Sequence, residues 1–190
     1  MFNLNLSFLQ NIKNLINPFY KNKDLKFIFK KLQDGTPQDQ KVARFVGGCV
    51  RKYLSNDKID DIDIASTLTT SEIKEKFKNT NFKVIDTGIK HGTVTLVSNQ
   101  FKLEVTTLRK DIDTDGRHAE VEYTDNWQLD SERRDFTINA IYLDINGNIF
   151  DSNFKLGSHI SSNLRIAKGN RSLSCNVIFL VSISLANSSK

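Results

Sequence analysis

The stretch VARFVGGCVRKYLSNDKIDDIDIAS, residues 42–66, decides the fold class. Val42 to Val46 is short, apolar and β-rich, and Gly47-Gly48 turns the chain. Cys49 to Leu54 has helical character, and Ile62 to Ser66 resumes extension. Strand, glycine turn, helix and strand in immediate succession predict a mixed α/β domain.

Working outward, Leu4, Phe8, Ile12, Leu15 and Ile16 recur at helical spacing, as do Leu25, Ile28, Phe29 and Leu32. Residues 1–34 therefore read as two helices parted at Pro18, and Asp34-Gly35-Thr36-Pro37 ends the second. Downstream, Thr69 and Glu72 have capping-box spacing ahead of Ile73 and Phe77. Phe82 to Ile85, Thr93 to Val97 and Phe101 to Thr106 read as strands, with Asn99-Gln100 as a hairpin turn. A helix over Ser131 to Ala140, a strand to Ile145 and a turn at Asn146-Gly147 complete the expected order. The organisation is a helical segment over 1–36, an α/β domain over 37–151 and a different tail over 152–190.

The chain has 190 residues, 38% hydrophobic, with 13 Phe to build a core, so wholesale disorder is excluded. Its two cysteines, Cys49 and Cys175, exclude a disulfide framework or a cysteine-based zinc site and predict a reducing, cytoplasmic setting. The strongest apolar run, Val177 to Val181, is too short to span a bilayer, so no membrane is expected. The net charge of +5 suggests a polyanionic partner at first sight. Residues 152–190, however, hold five basic residues (Lys155, Arg165, Lys168, Arg171, Lys190), ten serines and no acid. The first 151 residues are neutral, so the charge says nothing about the α/β domain.

Four features carry chemistry. Gly47-Gly48 lets backbone approach a ligand, and the helix start behind it offers N–H groups to phosphate, although a plain tight turn uses the same residues. Arg51, one turn in, can add charge-assisted hydrogen bonds to a triphosphate. Asp61 and Asp63, at i and i+2 on an extended run, project to one face, as carboxylates that share divalent metals do. Similar spacings at Asp111, Asp113 and Asp115 lie near Gly116 and are read as solvated turn residues. Asp61 and Asp63 differ in lying among Ile59, Ile62 and Ile64, where carboxylates need a partner such as Mg2+. Glu104 is either a third carboxylate or a strand residue facing solvent. Arg133-Arg134-Asp135 either binds phosphate, with Asp135 holding a guanidinium or reading a sugar or base, or forms a surface salt-bridge cluster. Asn139 follows Asp135 by one helical turn. His91 is read as a turn residue, and His118 and His159 have no His or Cys neighbour to form a metal site.

In this order and spacing the four features resemble the head domain of the bacterial-type tRNA nucleotidyltransferase/poly(A) polymerase family, with its GG-x-V-R, D-x-D and RRDFT-x-NA motifs. The resemblance covers residues 42–151 and includes GIKHGTV at 88–94 and EVTTLR at 104–109. It implies a polymerase-β-like nucleotidyltransferase head, a mixed sheet flanked by helices. It also implies attack of an RNA 3′-hydroxyl, as of tRNA, on ATP or CTP with Mg2+ and release of pyrophosphate. Gly47, Gly48 and Arg51 would contact the triphosphate, and Arg133, Arg134, Asp135 and Asn139 would line the nucleotide site. Asp61 and Asp63 would hold the metal, with Glu104 as the third catalytic carboxylate.

The departures are as informative. The family continues with a D-P-F-x-G-like segment and a neck whose E-D-x-x-R-x-x-R pattern chooses ATP or CTP. Here Ser152 to Gly157 keeps a trace of the first, and no acid follows Asp151 to make the second. Lys52 stands where many relatives have Asp or Asn. The expectation is a head that keeps nucleotide and metal ligands without base selection or RNA grip. The alternatives are an active subunit that needs a separate RNA-binding partner and a binding module without turnover. Exposed apolar surface at a missing interface would favour self-association.

Overall fold

In the computed structural model, which describes residues 18–99, 101–112, 120–134 and 137–151, helix α1 (Lys23–Gln33) is capped by Asn22. The Asn22 side chain accepts hydrogen bonds from the N–H groups of Asp24 and Leu25, at 2.8 and 3.4 Å. Leu25, Ile28, Phe29 and Leu32 are buried, as their spacing predicts. The helix predicted before Pro18 and the tail from Ser152 lie outside the described residues.

Among the described residues, nine strands and three more α-helices follow. In chain order they are β1 (Ala43–Val46), α2 (Gly48–Leu54), β2 (Asp63–Ser66), α3 (Thr70–Phe77), β3 (Lys83–Gly88), β4 (Thr93–Val97) and β5 (Lys102–Thr107). Then come β6 (Arg109–Ile112), β7 (Glu120–Tyr123), α4 (Trp127–Glu132), β8 (Ile141–Leu143) and β9 (Ile149–Asp151). Seven strands form one sheet in the order β3-β4-β5-β2-β1-β8-β9, and β6 with β7 forms a separate hairpin. Strands β2 and β5 run parallel while the other pairs are antiparallel, so the sheet is mixed as expected. The predicted capping box is formed: the Thr69 hydroxyl accepts from Glu72 N–H, and the Glu72 carboxylate accepts from Thr69 N–H.

Alternation along the strands gives the sheet two unlike faces. Phe45, Ile64, Val105, Val94 and Leu143 line up through their pairing registers on one face. They are buried in a single cluster with the apolar sides of α1 and α3 and with Cys49 and Val50 of α2. The rings of Phe19 and Phe29 meet Phe45 with centroids 4.9 and 4.6 Å away. Val46, Ala65 and Tyr142 belong to the other face, where they pack with Leu108, Trp127 and Phe150. There the Arg44 guanidinium lies 4.2 Å from the Trp127 ring centroid and 3.9 Å from that of Phe150. No helix among the described residues is long and apolar enough to cross a membrane.

Three local expectations are corrected. The helix assigned to Ser131–Ala140 is α4, Trp127–Glu132; Asn126 caps it by accepting from Gln128 and Leu129 N–H, at 2.9 and 3.4 Å. Thr137–Ala140 forms a separate 3-10 turn. Asp111 is a residue of β6, held in register by Val121, rather than a turn residue. Asp113 and Asp115 lie outside the described residues. The strand expected to reach Ile145 ends at Leu143, because the Asp144 carboxylate turns the chain by accepting from the N–H groups of Asn146 and Asn148, at 2.9 and 2.8 Å. The chain returns as β9, which alternation in the sequence did not announce.

Phe45 is fully buried between α1 and the sheet. Phe45→Ala is expected to cost about 3–5 kcal/mol, read in urea as a lowered midpoint with an unchanged slope.

Candidate active site

The polar face of the sheet begins at Asp63, the first residue of β2. In register across the strands, Val46 pairs with Asp63, Asp63 with Glu104, and Glu104 with Thr95. The two acids are thus side-by-side neighbours on adjacent parallel strands. Around them the floor is threonine: Thr87 bonds Thr95 at 2.8 Å and Thr93 bonds Thr106 at 3.0 Å through their hydroxyls.

Gly47 forms the wall beside Asp63. Its φ of 71° is costly for any residue with a side chain. A Cβ there would stand 3.7 Å from Asp63 Oδ2, so the absent side chain leaves the backbone turn open to the carboxylate. Cys49 fastens this arrangement from beneath, with Sγ 3.2 Å from the Val46 carbonyl oxygen and 3.7 Å from that of Asp63. Burial pushes the Cys49 thiol up, which makes it a packing group and not a nucleophile.

Asp61 precedes the strand, so strand alternation does not place it on one face with Asp63. The two carboxylates nevertheless act on each other. Burial first, then the charges of Glu104 and Asp61, raise the Asp63 carboxyl above the usual carboxylate range, while Arg134 opposes them. Asp61 and Glu104 are exposed and Asp63 is half-buried, so the three acids line an open site. Lys52 pairs with Asp60, the residue just before Asp61, and that bond holds the Asp60 carboxyl below its ordinary value. The departure at Lys52 therefore pins the loop that carries Asp61.

Two candidate residues far apart in sequence meet directly: Arg51 Nη1 donates to Asn139 Oδ1 at 2.6 Å. Asn139 reaches it from the 3-10 turn rather than from a continuous helix. Asp135, between these elements, lies outside the described residues.

The Arg133-Arg134 pair is not a surface cluster, for its side chains are only 13% and 17% exposed. Both guanidiniums are held by Asp130, which no motif had singled out and which is fully buried. Arg133 donates to Oδ1 through Nε at 2.9 Å and Nη2 at 2.6 Å; Arg134 donates to Oδ2 at 3.0 and 2.7 Å. Tyr142 adds its hydroxyl to Oδ2 at 2.7 Å. The signal was present, since Asp130 precedes the arginines by three and four residues, but it is visible only once the helix starts at Trp127.

The hairpin of β6 and β7 is seated beside this cluster. Arg109 Nη1 donates to the His91 carbonyl at 3.0 Å, and the Tyr123 hydroxyl to that of Ile89 at 3.3 Å. A Cβ on Gly92 would come within 2.6 Å of the Tyr123 ring, so the second glycine of GIKHGTV is the space that the ring occupies. His91 is a turn residue, as expected.

Burial would push the Asp130 carboxyl up, yet the charges of Arg134 and Arg133 and the bond from Tyr142 outweigh it and hold the group below the carboxylate range. Such a group stabilises the fold fully above its unfolded pKa of about 3.9, and the contribution fades as pH falls through the depressed folded value. Asp130→Asn should lower stability by about 3 kcal/mol at pH 7, with a shallower acid limb in thermal unfolding between pH 7 and pH 3.

The chain is 45% identical over 123 residues to the mitochondrial CCA tRNA nucleotidyltransferase 1 of Mus musculus, a match covering 64% of this chain and 28% of that protein. It is 47% identical over 111 residues to the CCA-adding enzyme of Lactobacillus johnsonii, covering 57% of this chain and 27% of that one. Among solved structures, the CCA-adding enzyme of Bacillus stearothermophilus in complex with CTP superposes with a TM-score of 0.55 at 36% identity, over 68% of this chain and 29% of that one. The chain therefore spans less than a third of the length of these relatives. Residues 43–159 match the family described as the Poly A polymerase head domain, and the chain belongs to that family.

Proposed function

We propose that this domain transfers nucleotides from ATP or CTP to an RNA 3′ end with release of pyrophosphate, and that tRNA is the RNA. The observation that carries the reading is Asp63 beside an open glycine turn, its carboxyl raised by burial and by the charges of Glu104 and Asp61 and opposed by the Arg134 guanidinium. The names of the relatives support the choice of tRNA and of CCA addition.

Mg2+ fits the donor set. Asp63, whose carboxyl is raised first by burial and then by neighbouring acids, is relieved by a cation, and the donors are hard oxygens. Among the described residues no three acids, histidines or cysteines are gathered closely enough to hold a metal alone. Mg2+ ordinarily takes one or two carboxylates and completes its shell with water and substrate phosphate, so Asp61 and Asp63 would hold it. When bound it lowers the pKa of the attacking hydroxyl and neutralises charge on the leaving pyrophosphate.

The protein's own part is positioning. The Gly47-Gly48 turn admits phosphate close to the backbone. Arg51, oriented by Asn139, and Arg134, with Arg133 behind it, supply positive charge to the triphosphate. Glu104 stands next to Asp63 on the neighbouring strand, and the threonine floor offers neutral hydrogen-bonding groups.

The test is incorporation of labelled ATP and CTP, separately, into tRNA lacking its 3′ end. Incorporation should require Mg2+ and fall at least about a hundredfold in the Asp61→Ala, Asp63→Ala double variant, with little change in melting temperature. Activity that survives the double variant would overturn the reading. ATP binding without pyrophosphate release would replace it with that of a nucleotide-binding module.

A further inference from the structure

We propose that Asp130 is a positioning residue for the nucleotide's phosphates: it fixes the orientation of Arg134 toward them and couples it to the root of the β6–β7 hairpin. The proposal rests on the nucleotide site described under the proposed function. Its ground is the division of labour between the two oxygens of one buried carboxylate. Oδ2 receives Arg134 through Nε and Nη2, at 3.0 and 2.7 Å, and the Tyr142 hydroxyl at 2.7 Å. Oδ1 receives Arg133, at 2.9 and 2.6 Å, and the backbone N–H of Arg109, the first residue of β6, at 3.2 Å. Arg133 Nε also donates to the Arg109 carbonyl at 2.9 Å, which closes a ring of bonds around the start of the hairpin.

A guanidinium gripped through Nε and Nη2 cannot rotate, and it keeps Nη1 and one hydrogen of Nη2 for another acceptor. Asp130 is itself fully buried, so it acts on a ligand only through the arginines. With two positive partners for one negative charge, the cluster keeps a net positive charge beside the acidic trio. A buried ion pair is weak grounds for stability, because desolvation offsets most of the attraction. Two N–H donors from each guanidinium, each pair on its own oxygen of Asp130, are instead what a fixed orientation requires. Asparagine can accept through only one of its two terminal atoms, so Asp130→Asn must release one side of the ring.

Calorimetry on the whole chain, with Mg·ATP, Mg·tripolyphosphate and AMP as probes, tests this. In Asp130→Asn, affinity for ATP and tripolyphosphate should fall about tenfold or more while AMP affinity stays level, so the preference for ATP over AMP collapses. Tyr142→Phe, which removes one donor to Oδ2 and keeps the ring, should lower the same preference about threefold. It decides the matter where Asp130→Asn does not fold. An unchanged preference in Tyr142→Phe, or equal weakening of all three probes in a folded Asp130→Asn, would overturn the proposal. If the unaltered chain binds ATP but incorporates none into tRNA, the transfer reading falls while these binding results still judge Asp130.

Discussion

The Asp63 carboxylate, half-buried and neighboured by the charges of Glu104 and Asp61, is the constraint that the rest of the site answers. Burial first, and then those two charges, disfavour its ionised form and raise its pKa above the ordinary carboxylate range. The chain tolerates it in three ways. Two of the acids are left exposed, where water screens them. Arg134 is brought close enough to oppose their effect on Asp63. The surrounding floor is made of threonines, which satisfy one another and add no further charge.

That answer depends on a sheet with two unlike faces. Every apolar side chain that β1, β2, β4 and β5 send toward α1 and α3 obliges its neighbours to point the other way. Phe45 and Ile64 thus secure the positions of Val46 and Asp63 by packing on the far side. Arg44 is the cost of this two-sidedness on the second face. Its burial lowers its pKa, with Asp144 and Tyr142 offsetting the effect, and the rings of Trp127 and Phe150 take both sides of its guanidinium.

The sequence announced most of the sheet, because its strands are bounded by turns and its apolar residues alternate. The α1 stripe and the Thr69 capping box were equally legible, since each depends on residues within one or two turns. Gly47, Arg51, Asp63 and Glu104 could be named from motif and spacing; Gly47 and Glu104 lie beside Asp63, and Arg51 meets Asn139. What escaped depends on partners the chain brings from elsewhere. Asn126 does not distinguish itself from other polar residues until its side chain is seen to cap α4. Asp130 sits beyond the motif that follows it, and its importance comes from Tyr142 and Arg109 on other strands as much as from its own helix. The β6–β7 pairing was hidden because its charged residues resemble those of a loop.

The contact between Arg51 and Asn139 spans 88 residues of chain. Closing so long a loop costs entropy that no local interaction offsets, so the contact forms only when the intervening strands have already paired. The parallel pairing that sets Asp63 against Glu104 needs the same long connection through α3, β3 and β4. The site therefore has no partially assembled precursor in any short segment. Its chemistry therefore depends on the completeness of the whole sheet.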